Sequence, residues 1–127
     1  MRDLLVDPST TAAVLVSLPE EMPINETIEL HQALKGQVRM NPAAAVLNMY
    51  VPDRFQPGDA DLVPASLRPI VDYHQTREEL SASARARLER ELGLPVLPVP
   101  RMYEPKVTRR MIERVADRLS PLWEGGR

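Results

Sequence analysis

The side chain best placed for recognition is the amide of Asn48, which sits in the apolar run from Ala43 to Val51. A carboxamide carries one acceptor and two donors, so it can meet a flat ring edge that presents a donor beside an acceptor. Glu20 stands in a comparable place after an earlier apolar run, in Leu18-Pro19-Glu20-Glu21, where its carboxylate can accept from a hydroxyl or a backbone N–H. Pro100, Met102 and Tyr103 follow a third, shorter run, and Met102 and Tyr103 are suited to packing on a flat ring. Each has a plainer alternative. Asn48 is otherwise a polar residue ending a strand, and Glu20 a first-turn carboxylate favoured by the helix dipole. His31 lies within an apolar helical face and reads as a packed, hydrogen-bonded core histidine. Arg110, Arg114 and Arg118 recur every four residues with Glu113 and Asp117 interleaved, which describes a solvated face with local ion pairs. Arg85, Arg87 and Arg90 read the same way. Asp53 and Asp59 to Asp61 look like loop acids. Ser9-Thr10-Thr11 has nothing beside it to orient a base.

These residues need strands to hold them. Ala12 to Leu18 is apolar apart from Ser17 and predicts a buried strand, as in a parallel sheet covered on both faces. A helix follows, capped by Asn25 or its neighbours, with Ile24, Thr27, Ile28, Leu30, His31 and Leu34 on one side and Gly36 as its stop. Ala43 to Val51 predicts a second buried strand, and strand, helix, strand makes a right-handed βαβ crossover over residues 1–52. Residues 53–75 read as a loop around Pro57-Gly58 and a short helix from Ser66 to His74. Thr76-Arg77-Glu78-Glu79 carries a capping-box pattern and predicts a helix over 76–93, with Leu80, Ala84 and Leu88 as its apolar stripe and Gly93 as its end. Residues 94–121 should form a short strand at Val96 to Val99, a loop and a terminal helix. Pro98 argues for an edge position or a strand end. Val107, Met111, Ile112, Val115, Ala116 and Leu119 are expected to face inward, and the tail from Trp123 to Arg127 to fray.

Composition bounds the chemistry. The 127 residues suit one domain with one core, and aromatics at 4% leave that core to Leu, Val, Ile, Ala and Met. Sixteen basic against eighteen acidic residues, a net charge of −2, give no whole-chain electrostatic case for nucleic acid or an anionic membrane. With no cysteine, disulfides and thiolate chemistry are excluded, and two histidines make a histidine-rich metal site a poor expectation. No apolar run reaches the roughly 20 residues needed to span a bilayer. The first residues lack a signal peptide's apolar stretch, so a cytoplasmic location and no direct membrane insertion are expected.

Taken together, these segments resemble the anion-transporting ATPase family, which includes the arsenite-pump ATPase and the ATPase that targets tail-anchored membrane proteins. The match begins at Leu4-Leu5-Val6-Asp7-Pro8 and runs through Ala13-Val14-Leu15-Val16-Ser17-Leu18-Pro19-Glu20 to Glu26-Thr27 and Leu30. It continues at Val46-Leu47-Asn48 with Pro52, and at Val99-Pro100 through Leu119, and is weak from Phe55 to Leu92. The segment Pro19-Glu20-Glu21-Met22-Pro23-Ile24-Asn25-Glu26-Thr27 is its most specific part. The resemblance implies part of a P-loop NTPase-like three-layer α/β fold, with a mostly parallel sheet of about three strands between helices. It also implies an ATP or ADP site with Glu20 and Asn48 among the nucleotide contacts and Pro100 to Val107 over the adenine face. On that basis Asn48 would meet the exocyclic amine and ring nitrogen of adenine together, with Met102 and Tyr103 on the purine face.

The phosphate-binding loop G-x-x-x-x-G-K-S/T is absent from these 127 residues, and none of the five glycines precedes a lysine. The family's magnesium-holding aspartates have no counterpart either, so magnesium belongs to a parent protein. The expectation is the C-terminal, adenine-recognising portion of such an ATPase, a piece of a longer protein, binding nucleotide weakly or not at all and unable to hydrolyse ATP alone. The alternative is an independent partner or regulatory module that joins an ATPase subunit, or a second copy as a homodimer, through an exposed sheet edge.

Overall fold

The computed structural model describes residues 7–124. Three strands, β1 (Ala13–Ser17), β2 (Pro42–Tyr50) and β3 (Val96–Pro100), form one all-parallel open sheet in the order β1-β2-β3. The helix α1 (Glu21–Ala33) connects β1 to β2. A short helical turn, α2 (Asp59–Leu62), and the long helix α3 (Arg68–Leu92) connect β2 to β3. After β3 come α4 (Arg109–Leu119) and a last turn, α5 (Pro121–Glu124). The tail from Trp123 thus begins inside a helical turn, and its last three residues lie outside the described part, as do Leu4 to Val6.

The core lies between α1, α3 and one face of the sheet. Leu15, Ala45, Leu47 and Val96 from the strands meet Ile24 from α1 and Ala84, Leu88 and Leu92 from α3. Leu47 and Leu88 are wholly buried, each stabilising the fold by roughly 1.5–3 kcal/mol through burial alone. The other face of β1 is bare: Val14 is 39% and Val16 65% exposed. The continuous apolar run therefore does not mark a strand covered on both sides; β1 is an edge strand with one covered face.

Helix boundaries depart from the pattern-based ones for local reasons. Glu20, in extended conformation, precedes α1 with no side-chain cap, and Asn25 lies inside the helix, where its Oδ1 accepts from the Arg87 guanidinium at 2.6 Å. That bond ties α1 to α3. Gly36 does not stop the helix; a π-helical turn over Leu34–Val38 continues it, and Arg39 at φ 62° ends it. Leu30 is 51% exposed, so it leaves the buried row of Ile24, Thr27 and His31.

The short helix and the capping-box helix are one continuous helix. Thr76 is interior, its Oγ1 donating back to the Asp72 carbonyl at 2.9 Å. The buried stripe of α3 is Val71, Glu78, Ser81, Ala84, Leu88 and Leu92; Leu80 is 49% exposed. Gly93 ends α3 at φ 63°, a left-handed conformation that favours glycine.

The polar members of the α3 stripe hold down the loop after β2. Ser81 Oγ accepts from Val51 N at 3.1 Å and Glu78 Oε1 from Arg54 N at 2.8 Å, while Gln75 Nε2 donates to the Gln56 carbonyl at 3.0 Å. Residues spaced about one helical turn apart thus satisfy a backbone that has no strand partner. Phe55 packs edge-on against His74, 5.3 Å between ring centroids.

Candidate functional site

The three strands run in register through the row Ser17–Leu47–Pro98. One step later the register of β2 against β3 slips: Leu47 pairs with Pro98 but Tyr50 with Pro100, so Asn48 and Met49 stand opposite Val99 alone. This is a β-bulge at the C-terminal end of the central strand. Met49 adopts φ 57°, a left-handed conformation that costs a side-chain-bearing residue about 1–2 kcal/mol. Asn48 is exposed, and its Oδ1 accepts from Met49 N at 2.9 Å. A carboxamide oxygen has a second lone pair and the group keeps its two Nδ2 donors, so this bond orients the amide without saturating it. Replacing Met49 with glycine should relieve the strain. Glycine's extra chain entropy offsets roughly 0.5–1 kcal/mol of the gain, so urea unfolding should show a net rise of up to about 1 kcal/mol. A clear loss of stability would mean that the Met49 side chain, 41% exposed, packs more than its exposure implies.

Around Asn48 the strand ends supply the other candidates. Glu20 is exposed beyond β1, with Oε1 3.9 Å from the Arg77 guanidinium, a surface pair worth less than about 1 kcal/mol. It lines a cavity of about 290 Å³ between α1 and α3 with Ile24, Leu80, Ala84 and Arg87. Pro100 and Met102 line a second, of about 340 Å³, with Val99, Arg114, Asp117 and Arg118 of the β3 end and α4. Asn48 lines neither. Leu47 points into the core beside α1 and α3, so by strand alternation Asn48 belongs to the opposite face. Tyr103 is 62% exposed, and the Arg101 guanidinium lies 5.3 Å from its ring centroid, placing a cation on one ring face. The candidates therefore share one edge of the sheet but not one pocket.

No family model matches this chain, and no curated protein shows significant similarity to it.

Two features of this edge carry no signal in the sequence pattern. Methionine gives no hint of a left-handed backbone, so the bulge was not foreseeable. Arg77 was part of a presumed helix cap and instead faces Glu20. His31 is buried on α1; burial first, and the nearby Lys35 charge second, hold its imidazole below the usual histidine value. No hydrogen bond joins its ring to the described residues, so it is packed rather than bonded as expected. Among the described residues no group of three or more His, Asp or Glu side chains could hold a metal ion.

Neither a glycine-rich loop followed by lysine nor a magnesium-binding aspartate pattern occurs in these 127 residues.

Proposed function

We propose that this edge is the base-recognition side of a nucleotide site, and the chain the C-terminal, adenine-recognising portion of an anion-transporting-type ATPase. The observation that carries the proposal is the Asn48–Met49 bulge. Strained backbone and bulges concentrate beside binding sites, where they re-aim a side chain, and ligands of open parallel sheets bind outside the carboxyl ends of the strands. A carboxamide presented there suits adenine, whose N6 amine donates and whose N7 accepts. Phosphate contacts and magnesium must come from elsewhere, and the chain alone does not hydrolyse ATP.

The sheet edges favour β1 as the surface where that remainder joins. In a parallel ladder alternate residues turn both backbone groups to the same side. Ala45 N donates to Pro95 O, and Arg101 N to Tyr50 O. Odd-numbered residues of β3 therefore face β2, which turns Pro98 and Pro100 outward, and proline has no N–H to offer. On β1 the same alternation turns Val14 and Val16 outward, both with N–H groups. The alternative, a module that docks on an ATPase subunit or a second copy, uses the same β1 edge.

The test is an NMR titration of the chain with adenosine, which needs no phosphate site. Resonances of Asn48, Met49 and residues 101–103 should shift with a midpoint on the order of 1 mM, about 4 kcal/mol of binding. Guanosine should leave them in place. Asn48→Ala should weaken the response about tenfold or more, since a bidentate amide–base pair contributes about 1–3 kcal/mol. No adenosine response, or an equal one to guanosine, would sink the adenine assignment. ATP hydrolysis by the purified chain, abolished in Asn48→Ala, would overturn its inactivity.

A further inference from the structure

The apolar face of α4 does not face inward. Val107 is 79%, Ile112 62% and Trp123 58% exposed, and no residue of α4 is buried. With Met111, Val115 and Leu119 they line an open groove of about 510 Å³. The helix contacts β3 and the α5 turn, and its apolar stripe is left to something outside the described residues.

The charges bordering the stripe indicate what that is. At about 3.6 residues per turn, Met111, Ile112, Val115, Ala116 and Leu119 form one continuous stripe. Arg109 falls beside Ala116 at one border and Arg118 beside Met111 at the other. Glu113 and Asp117 fall on the far side, together with Arg110 and Arg114. Arginine at both borders of an apolar stripe lets guanidinium groups reach phosphate headgroups while the mixed-charge opposite side stays in water. From Arg101 to Leu119 there are six basic residues, Arg101, Lys106, Arg109, Arg110, Arg114 and Arg118, against Glu104, Glu113 and Asp117. The whole-chain charge of −2 conceals this local positive excess. Glu113 pairs with Arg109 and Glu104 with Arg114; Arg110 and Arg118 form no ion pair among the described residues. Trp123 lies at the end of the groove, and tryptophan favours the headgroup boundary.

We propose that α4 and Trp123 form a peripheral docking surface for an anionic lipid bilayer. The helix lies in the plane of the interface; its 11 residues extend about 16 Å, far short of the roughly 30 Å hydrocarbon core. A second copy is the weaker occupant, because one face of so short a helix falls well below the roughly 800 Å² per partner of a stable interface. A bilayer demands no such matched surface.

Trp123 is the chain's single tryptophan, so its emission reports the event directly. The full chain should float with phosphatidylcholine vesicles containing about a third phosphatidylglycerol, with a blue-shifted Trp123 emission that reverses in high salt. Ile112→Glu should abolish both signals while the far-UV circular dichroism and unfolding midpoint stay unchanged. Arg109→Gln with Arg118→Gln should weaken partitioning about thirtyfold. Failure to bind anionic vesicles, or equal binding to pure phosphatidylcholine, would overturn the proposal. So would a blue shift without lipid that tracks self-association and is lost in Ile112→Glu, which would assign the face to a second copy. Nucleotide binding is read separately, by the adenosine titration.

Discussion

Leu88→Ala is expected to lower the unfolding free energy by about 3 kcal/mol, the largest effect of any single truncation proposed for this protein. Leu88 is 0% exposed and sits where α3 meets Leu47 and Val96 of the sheet. The buried cluster it belongs to joins α1 and α3 to one face of the sheet, so the loss falls on the packing that holds the layers together. Urea unfolding should show a lower midpoint at unchanged slope. Leu80→Ala is the matched control. Leu80 lies on the same helix, but at 49% exposed its truncation should cost under about 1 kcal/mol. Equal losses at the two positions would mean that the buried stripe of α3 is misplaced. Leu88→Met conserves most of the volume and should cost less than about 1.5 kcal/mol, so the comparison survives if the alanine variant fails to fold.

Glu78→Ala should cost about 2–3 kcal/mol and free the loop after β2. The Glu78 side chain is only 6% exposed, and its Oε1 accepts from Arg54 N at 2.8 Å and is hydrogen-bonded to His74 Nδ1 at 2.9 Å. Truncation removes the partner of both groups at once, and an unmatched donor costs more than a typical hydrogen bond contributes. Glutamine keeps a carbonyl oxygen in place for Arg54 N and should retain most of the stability. Limited trypsin digestion gives an independent readout. The bond after Arg54 should become the first cleavage site in Glu78→Ala while staying protected in Glu78→Gln. Unchanged protection in the alanine variant would show that Ser81 and Gln75 anchor the loop without Glu78.

Much of this architecture is legible in the chain because the elements announce themselves by unbroken periodicity. The runs at 12–18 and 43–51 read as strands, and they are. Pro98 reads as an edge or strand-end residue, and β3 is an edge strand. What failed were inferences from a local pattern to a neighbour. Thr76-x-x-Glu79 fits a helix start, yet a threonine that bonds back one turn is equally content in mid-helix. Glu78 falls within that capping-box pattern, and nothing in its own segment reveals the loop it holds. The contrast between the two sides of α4 was visible, but amphipathy says only that the sides differ, not that the apolar one is covered. The candidate site was partly visible in the same sense: Asn48 was identifiable as a polar residue ending an apolar strand, whereas the bulge beside it depends on pairing with β3.

The two prolines of β3 also set a stoichiometry. A sheet with two open edges can recruit copies without limit, each new chain offering a fresh margin for the next. Here one margin is mute at Pro98 and Pro100. Strand pairing between copies through β1 would use the more receptive edge of each and leave, among the described strands, a six-stranded ribbon with a proline-bearing border at both ends. If copies paired by that route, the exposed valines of β1 would join two chains, and the prolines of β3 would disfavour further strand addition.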